Sequence, residues 1–309
     1  MNRCPLTYTL CEGRYSLSGL RALSKNLTDL KEFPYTIDQQ IELAAQYADK
    51  LSIQGVQPKL SVILSPLHQQ FELVDNGGTF ILKPQHVLYK ELPQNEDLTM
   101  RLAAMVGIDI PLHGLLYCID NSMTYFIKRF DRKGRKKKIA TEDFSQLLQF
   151  SRETKYNSSM EQVVQVIDTH CSFPMQEKLK LFRLTLFNYL VGNEDMHLKN
   201  FSLIRYPNVT ALSPAYDLVN TSIAITTTEE IALPLNGKKS NLKKNDLLDY
   251  FGKKRLGLNT TIIDQEVTNF INIYPAWQKM VGQSFLSDLY KQQYLSVLQK
   301  RMMNLFPSG

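Results

Sequence analysis

The sequence predicts an α+β chain of two lobes, strand-rich over residues 1–130 and mostly helical over residues 131–309. Three observations predict it: short runs of β-forming residues up to about position 130, helical spacing of apolar residues after it, and a composition able to bury a core. Of 309 residues, 43% are hydrophobic and 21% charged, which marks a folded chain and not a disordered tail. The length suits two domains or one bilobal unit with a shared crevice, a usual place for a ligand. Fourteen Gly and thirteen Pro are ordinary numbers and exclude collagen-like or low-complexity readings.

Residues 37–51 carry Ile41, Leu43, Ala44, Tyr47, Ala48 and Leu51 at helical spacing, and predict a helix. Strands are expected at 60–64, 70–74 and 79–83. Asp75-Asn76-Gly77-Gly78 between the last two has hairpin chemistry, because positive φ is cheap there. A helix over 95–106, with Leu98, Leu102, Ala103 and Met105 on one face, precedes strands at 113–119 and 123–130. Residues 132–138 form a basic loop. Thr141 is expected to cap a helix that opens with Glu142 and Asp143, acids favoured in a first turn. Helices follow at 160–171 and 175–191, strands at 201–204 and 223–235, and helices at 244–251, 259–281 and 284–305.

No run approaches the ~20 apolar residues of a membrane span; residues 184–191 are interrupted by Thr185 and Asn188. The first twenty residues show no apolar core of a secretory leader. Cys4, Cys11, Cys118 and Cys171 lack metal-like spacing and a His cluster, so reduced thiols of a cytoplasmic protein are expected. The net charge of +6 is mild. Six cations within residues 132–138 would attract phosphate, although a solvated loop is the commoner explanation, and nothing resembles a specific DNA-reading element.

Polar function concentrates in Gly192-Asn193-Glu194-Asp195-Met196-His197-Leu198-Lys199-Asn200, between a helix and a strand. A carboxylate five residues before an Asn has the spacing of a phosphotransferase loop. There Asp195 would take the proton of an attacking hydroxyl and Asn200 would hold Mg²⁺. Mg²⁺ favours octahedral oxygen with at least one carboxylate, and Asp217 after the next strand can supply it. The alternative is a solvated loop at a helix end. Lys83, ending Phe80-Ile-Leu-Lys, suits the lysine that phosphoryl transfer needs on a strand of the first lobe, with Glu96 either its partner or a solvated helix acid. Ser52-Ile-Gln-Gly-Val-Gln-Pro-Lys59 lies where a phosphate-covering loop should lie, yet its single glycine matches neither multi-glycine pattern.

Together with Asn-Glu-Asp-Leu-Thr-Met-Arg-Leu-Ala from Asn95, Lys128-Arg-Phe-Asp-Arg132, Thr141-Glu-Asp-Phe144 and Ser213-Pro-Ala-Tyr-Asp217, these motifs stand in the order seen in HipA-family serine/threonine kinases, the toxin halves of toxin–antitoxin systems. The chain resembles that family from about residue 50 to 220. The resemblance implies a bilobal protein-kinase-like fold with ATP and Mg²⁺ as cofactors. It implies Asp195 as catalytic base and Asn200 and Asp217 as metal ligands. His197, Leu198, Lys199, Asn200 and Tyr216 would belong to the nucleotide site. Gln54, Gly55, Val56, Gln57, Pro58 and Lys59 match the loop over the phosphates, Lys83 the lysine reaching them, and Lys128, Arg129 and Phe130 the hinge beside the adenine. Ser52 matches a serine that family members autophosphorylate to eject the loop; a second serine of some relatives is here Gln54. The full-size family has a further N-terminal subdomain, so the chain resembles the short HipT-type toxins, which work with a small protein standing in for that subdomain and with a DNA-binding antitoxin. Known targets in the family are aminoacyl-tRNA synthetases. Two other readings of the residues are a small-molecule phosphotransferase with the same Asp/Asn/Asp set and a non-catalytic nucleotide-binding partner.

Overall fold

The computed structural model describes residues 1–48, 58–150, 156–225 and 227–307, so the predicted helix end at Leu51, Ser52 and positions 54–57 lie outside the described residues. The chain divides into two units. One comprises Met1–Leu98, Pro111–Lys138 and Gln283–Leu286; the other Thr99–Ile110, Ile139–Gly282 and Ser287–Gly309.

The first unit begins with the paired strands β1 (Asn2–Arg3) and β2 (Leu10–Cys11) and the helices α1 (Leu17–Leu23) and α2 (Ile37–Ala48). Then come β3 (Leu60–Ser65), β4 (Gln70–Leu73), β5 (Phe80–Lys83), the start of α3 (Leu92–Met105), β6 (His113–Tyr117) and β7 (Met123–Lys128). These five strands form one antiparallel sheet in the order β4-β3-β5-β7-β6. β4 and β5 therefore flank β3 and do not pair with each other, which corrects the predicted hairpin. The Asp75–Gly78 turn instead carries the chain across β3: Val74 N–H donates to Ser61 O at 3.0 Å and Thr79 N–H to Val62 O at 3.0 Å. Gly77 takes φ +73°, and a Cβ on Gly78 would stand 2.0 Å from Ser61 Oγ, so the glycines serve a close crossing of backbones. Phe71, Phe80 and Phe126 meet on one face with ring centroids 5.2–6.1 Å apart. Gly114, paired with Phe126, leaves room for that ring, since its Cβ would lie 2.9 Å from Phe126 Cζ.

The basic segment is a hairpin and not a loop: β8 (Arg132–Lys133) pairs with β9 (Lys137–Lys138), and Gly134 takes φ +67°. Its six positive charges equal the net charge of the whole chain, +6, so the remaining residues are balanced.

In the second unit β10 (Ala140–Asp143) pairs with β11 (Ser202–Tyr206), which pairs with β12 (Val209–Leu212). Because residues 140–143 are extended in that sheet, α4 (Phe144–Leu147) starts later than expected. Asp143, not Thr141, is its cap, accepting Gln146 N–H at 2.9 Å. α5 (Met160–His170) and α6 (Pro174–Val191) follow. The C-terminal half of α6 is buried around its whole circumference and makes it the central helix. A π-helix spans Asn245–Arg255, and α7 (Thr260–Gln283) and α8 (Asp288–Leu305) complete the unit. Among the described residues no strand forms between 223 and 235; Ile231, Ala232 and Leu233 are buried as irregular chain, and Leu235 makes only an isolated bridge to Lys238. β12 was not anticipated. Trp277 of α7 is fully buried against Phe187 and Phe270 and donates its indole N–H to Leu102 O at 3.1 Å. No helix among the described residues is long and apolar enough to cross a membrane.

The aromatic trio makes a direct test of the first unit's core. Phe126→Ala should lower its unfolding free energy by about 3–5 kcal/mol in urea titrations, whereas Leu67→Ala, at a site 86% exposed, should stay within about 0.5 kcal/mol.

Candidate functional site

The loop after α6 is built on a reversal of the chain. Gly192 ends the helix in the left-handed region, φ 72° and ψ 38°, and a Cβ there would lie 2.5 Å from Ser222 Oγ and 2.8 Å from Val297 Cγ1. Its carbonyl accepts the backbone N–H groups of Thr221 and Ser222 at 2.9 and 3.1 Å and lies 3.2 Å from each of their hydroxyls. Buried Asn193 donates to Asn188 Oδ1 at 2.9 Å and accepts Asp195 N–H at 3.3 Å.

Glu194 turns inward. Its Oε1 accepts Ser222 Oγ–H at 2.7 Å and the Arg301 guanidinium at 3.0 Å. Arg301, from the last turns of α8, also meets Glu230 at 2.9 Å and lies 4.8 Å from the Tyr189 ring centroid. Burial pushes the Glu194 carboxyl above the usual range, opposed by Ser222 and Arg301. Asp195 turns outward and is exposed. Its carbonyl is held by His197 N–H at 2.8 Å and by Asn200 Nδ2 at 2.9 Å, so the backbone is fixed while the carboxylate faces solvent. The Tyr156 hydroxyl donates to Asp195 Oδ1.

Asn200 is buried at the end of a 3₁₀ turn, Leu198–Asn200. Because its amide nitrogen is committed to the Asp195 carbonyl, its amide oxygen is the atom left to serve a cation. The Tyr216 hydroxyl donates to Lys199 O at 2.8 Å and pairs with Ser202 Oγ at 2.5 Å, stitching the segment that carries Asp217 to the loop; burial pushes its phenol pKa upward. Asp217 adopts φ +55°, a conformation Asp tolerates better than most side chains. An amide oxygen and a carboxylate are hard donors that fit Mg²⁺. Among the described residues no group of three or more His, Cys, Asp or Glu is placed for a metal, so phosphates and water would have to complete the shell.

In the first unit Lys83 and Glu96 form an ion pair of 2.5 Å with side chains 4% and 0% exposed, which decides between the two readings of Glu96. The Lys83 ammonium also lies 5.7 Å from the ring centroid of Tyr125, its cross-strand partner. One residue on, Asp97 accepts His113 Nδ1–H at 2.9 Å, equally buried. At the expected hinge, Lys128 N–H donates to Leu112 O at 2.8 Å and Arg129 N–H to Thr79 O at 2.9 Å; both donors are thus taken within the unit and are not offered to a base. The Arg129 guanidinium forks onto Asp131 at 2.9 and 2.8 Å. Pro58 and Lys59 lie half-buried just before β3, and Ser52 and residues 54–57 fall outside the described residues. Sequence reasoning missed Arg301, Glu230 and Tyr156. Nothing in local spacing links Glu194 to a residue 107 positions away.

The sequence model of the HipA-like C-terminal domain matches residues 51–277. The chain belongs to this family. A Haemophilus influenzae protein bearing a kinase name is 29% identical over 98% of this chain and 97% of its own length. The serine/threonine-protein kinase toxin HipA of Shewanella oneidensis is 28% identical over 60% of this chain and 47% of that protein, so the match spans about half of the toxin. The structure of Shewanella oneidensis HipA, solved with HipB and operator DNA, superposes with TM-score 0.68 at 21% identity, covering 90% of this chain and 73% of that one. The fold is the α+β kinase-like fold that the sequence predicted.

The Arg301 network yields a stability test. Arg301→Met would leave Glu194 and Glu230 facing each other without a cation, and should cost about 3–5 kcal/mol in chemical denaturation; a loss below about 1 kcal/mol would show that the network carries no such weight.

Proposed function

We propose that this HipA-family chain is an ATP-dependent serine/threonine kinase that transfers the γ-phosphate to a serine of a protein. The observation that carries this reading is the buried Lys83–Glu96 pair. Two charges so far out of water are a poor source of stability, and one partner alone would be costly to leave there. Their arrangement is instead the one phosphoryl transfer requires, a strand lysine aimed by a helix glutamate so that the ammonium can meet nucleotide phosphates.

In this reading Asp195 accepts a hydrogen bond from the attacking serine hydroxyl and takes its proton as the serine oxygen–phosphorus bond forms and the bond from the γ-phosphorus to the bridging oxygen of ADP breaks, ADP leaving with that electron pair. Its exposed carboxylate on a fixed backbone suits that task. The oxygens of Asn200 and Asp217 would hold Mg²⁺, which when bound would offset the negative charge of the phosphates. His197, Leu198, Lys199 and Tyr216 shape the nucleotide side of the loop, Gln54, Gly55, Val56, Gln57, Pro58 and Lys59 cover the phosphates, and the chain at Lys128, Arg129 and Phe130 borders the adenine. Ser52 is the autophosphorylation site. A phosphate there adds about −1.5 to −2 charges beside the ATP phosphates and disfavours loop closure.

The target is proposed to be an aminoacyl-tRNA synthetase, so that the chain acts in the cytoplasm as a toxin that stops translation. HipB and operator DNA accompany the Shewanella HipA structure, which supports a DNA-binding antitoxin as partner. A small protein replacing the N-terminal subdomain, as in HipT-type systems, is the second proposed partner.

Asp195→Asn should keep the fold and Mg·ATP binding but lose 10²–10⁴-fold in phosphate transfer, read with labelled ATP and a cell extract, with phosphate at Ser52 followed by mass spectrometry. Wild-type turnover by that variant would overturn the assignment.

A further inference from the structure

One side chain outside the proposed machinery touches the carboxylate of Asp195. The Tyr156 hydroxyl donates to Asp195 Oδ1, and its ring stands edge-on to His197, centroids 5.1 Å apart and planes at 85°. Burial and the neighbouring Asp195 carboxylate push the phenol pKa upward, so at neutral pH the group is a protonated donor. Tyr156 is 38% exposed and Asp195 is exposed, so the contact lies at the solvent side of the loop and not in the core. Tyr156 lies 39 residues before Asp195 in the chain, within the same unit.

A hydroxyl donating to that carboxylate is the arrangement that an acceptor must reach for transfer to begin. Resting on the kinase reading of Asp195, we propose that Tyr156 is a resident pseudo-acceptor: its phenol occupies the place on Asp195 that the substrate serine hydroxyl must take, and an entering acceptor has to displace it. A water molecule would likewise have to displace the phenol to be activated at that oxygen, which restrains transfer of phosphate to water while no protein substrate is bound. A bulky ring leaning on His197 gives the phenol a fixed position from which to do so, and only acceptors with enough binding energy elsewhere to expel it would be phosphorylated efficiently. Tyr156 thereby acts as a specificity-determining residue.

The experiment compares the wild-type chain with Tyr156→Phe, which keeps the ring against His197 and removes only the hydroxyl, using Mg·ATP with two acceptors: water, read as ADP release, and dephosphorylated casein, read as phosphoserine. ADP release to water should rise about ten-fold, the KM for casein should fall by a similar factor, and the KM for ATP should not change, in keeping with loss of a hydrogen bond to a charged group. Tyr156→Leu, which removes the ring as well, should move both quantities in the same direction. Unchanged water and casein kinetics in folded variants would overturn the proposal. So would a fall in kcat with the casein KM unchanged, which would make Tyr156 an aligner of Asp195. Absence of ADP and phosphocasein from wild type and variants alike would instead overturn the kinase reading on which the proposal rests.

Discussion

An ammonium and a carboxylate sealed from water in the first unit, Lys83 and Glu96, are the constraint around which that unit is organised. The five-stranded sheet places Lys83 at the end of β5, opposite Tyr125 of β7. The first turns of α3 place two successive acids against the sheet: Glu96 on Lys83, then Asp97 on His113 at the start of β6. Neighbouring side chains on a helix diverge by about a quarter turn, so two such contacts pin both the position and the rotation of α3. A slip of one residue in β5 would turn Lys83 to the opposite face of the sheet and leave Glu96 buried without its cation.

The second unit uses the same physics for a different purpose. Glu194 is held by Arg301 and Ser222 while its neighbour Asp195 faces solvent, so the inward acid anchors the loop and the outward one is presented. Gly192, Thr221 and Ser222 close the reversal, and Tyr216 carries the tie onward to the Asp217 segment. The candidate loop thus depends on α8, at the far end of the sequence. The catalytic geometry proposed for the short segment 192–200 is inseparable from packing across the whole unit.

Much of this was legible in the sequence because it is local. Strands at 60–83 and 113–128 announce themselves by runs of β-branched and aromatic residues, and α5 and α6 by apolar spacing. The order of polar motifs carried the family. What failed was non-local. Asp75–Gly78 has turn chemistry that fits a hairpin, but whether a turn joins neighbours or crosses a strand is decided by which strand β3 prefers on each side. Thr141 and Asp143 are both good caps; pairing of 140–143 with β11 excludes the first. Residues 223–235 are apolar enough for a strand but are buried without a partner strand. The ties of Glu194 to Arg301 and of Asp195 to Tyr156 leave no periodic trace, and Glu96 could be read as solvated until the structure buried it.

The buried Glu96 carboxylate is proposed to hold Lys83 for nucleotide phosphates. Calorimetric titration of wild type and Glu96→Gln with the magnesium complex of a non-hydrolysable ATP analogue tests it most directly. An aimed lysine predicts an affinity loss of about ten-fold or more in the folded variant. Equal affinities would show that the buried pair serves the fold alone and would contradict the account.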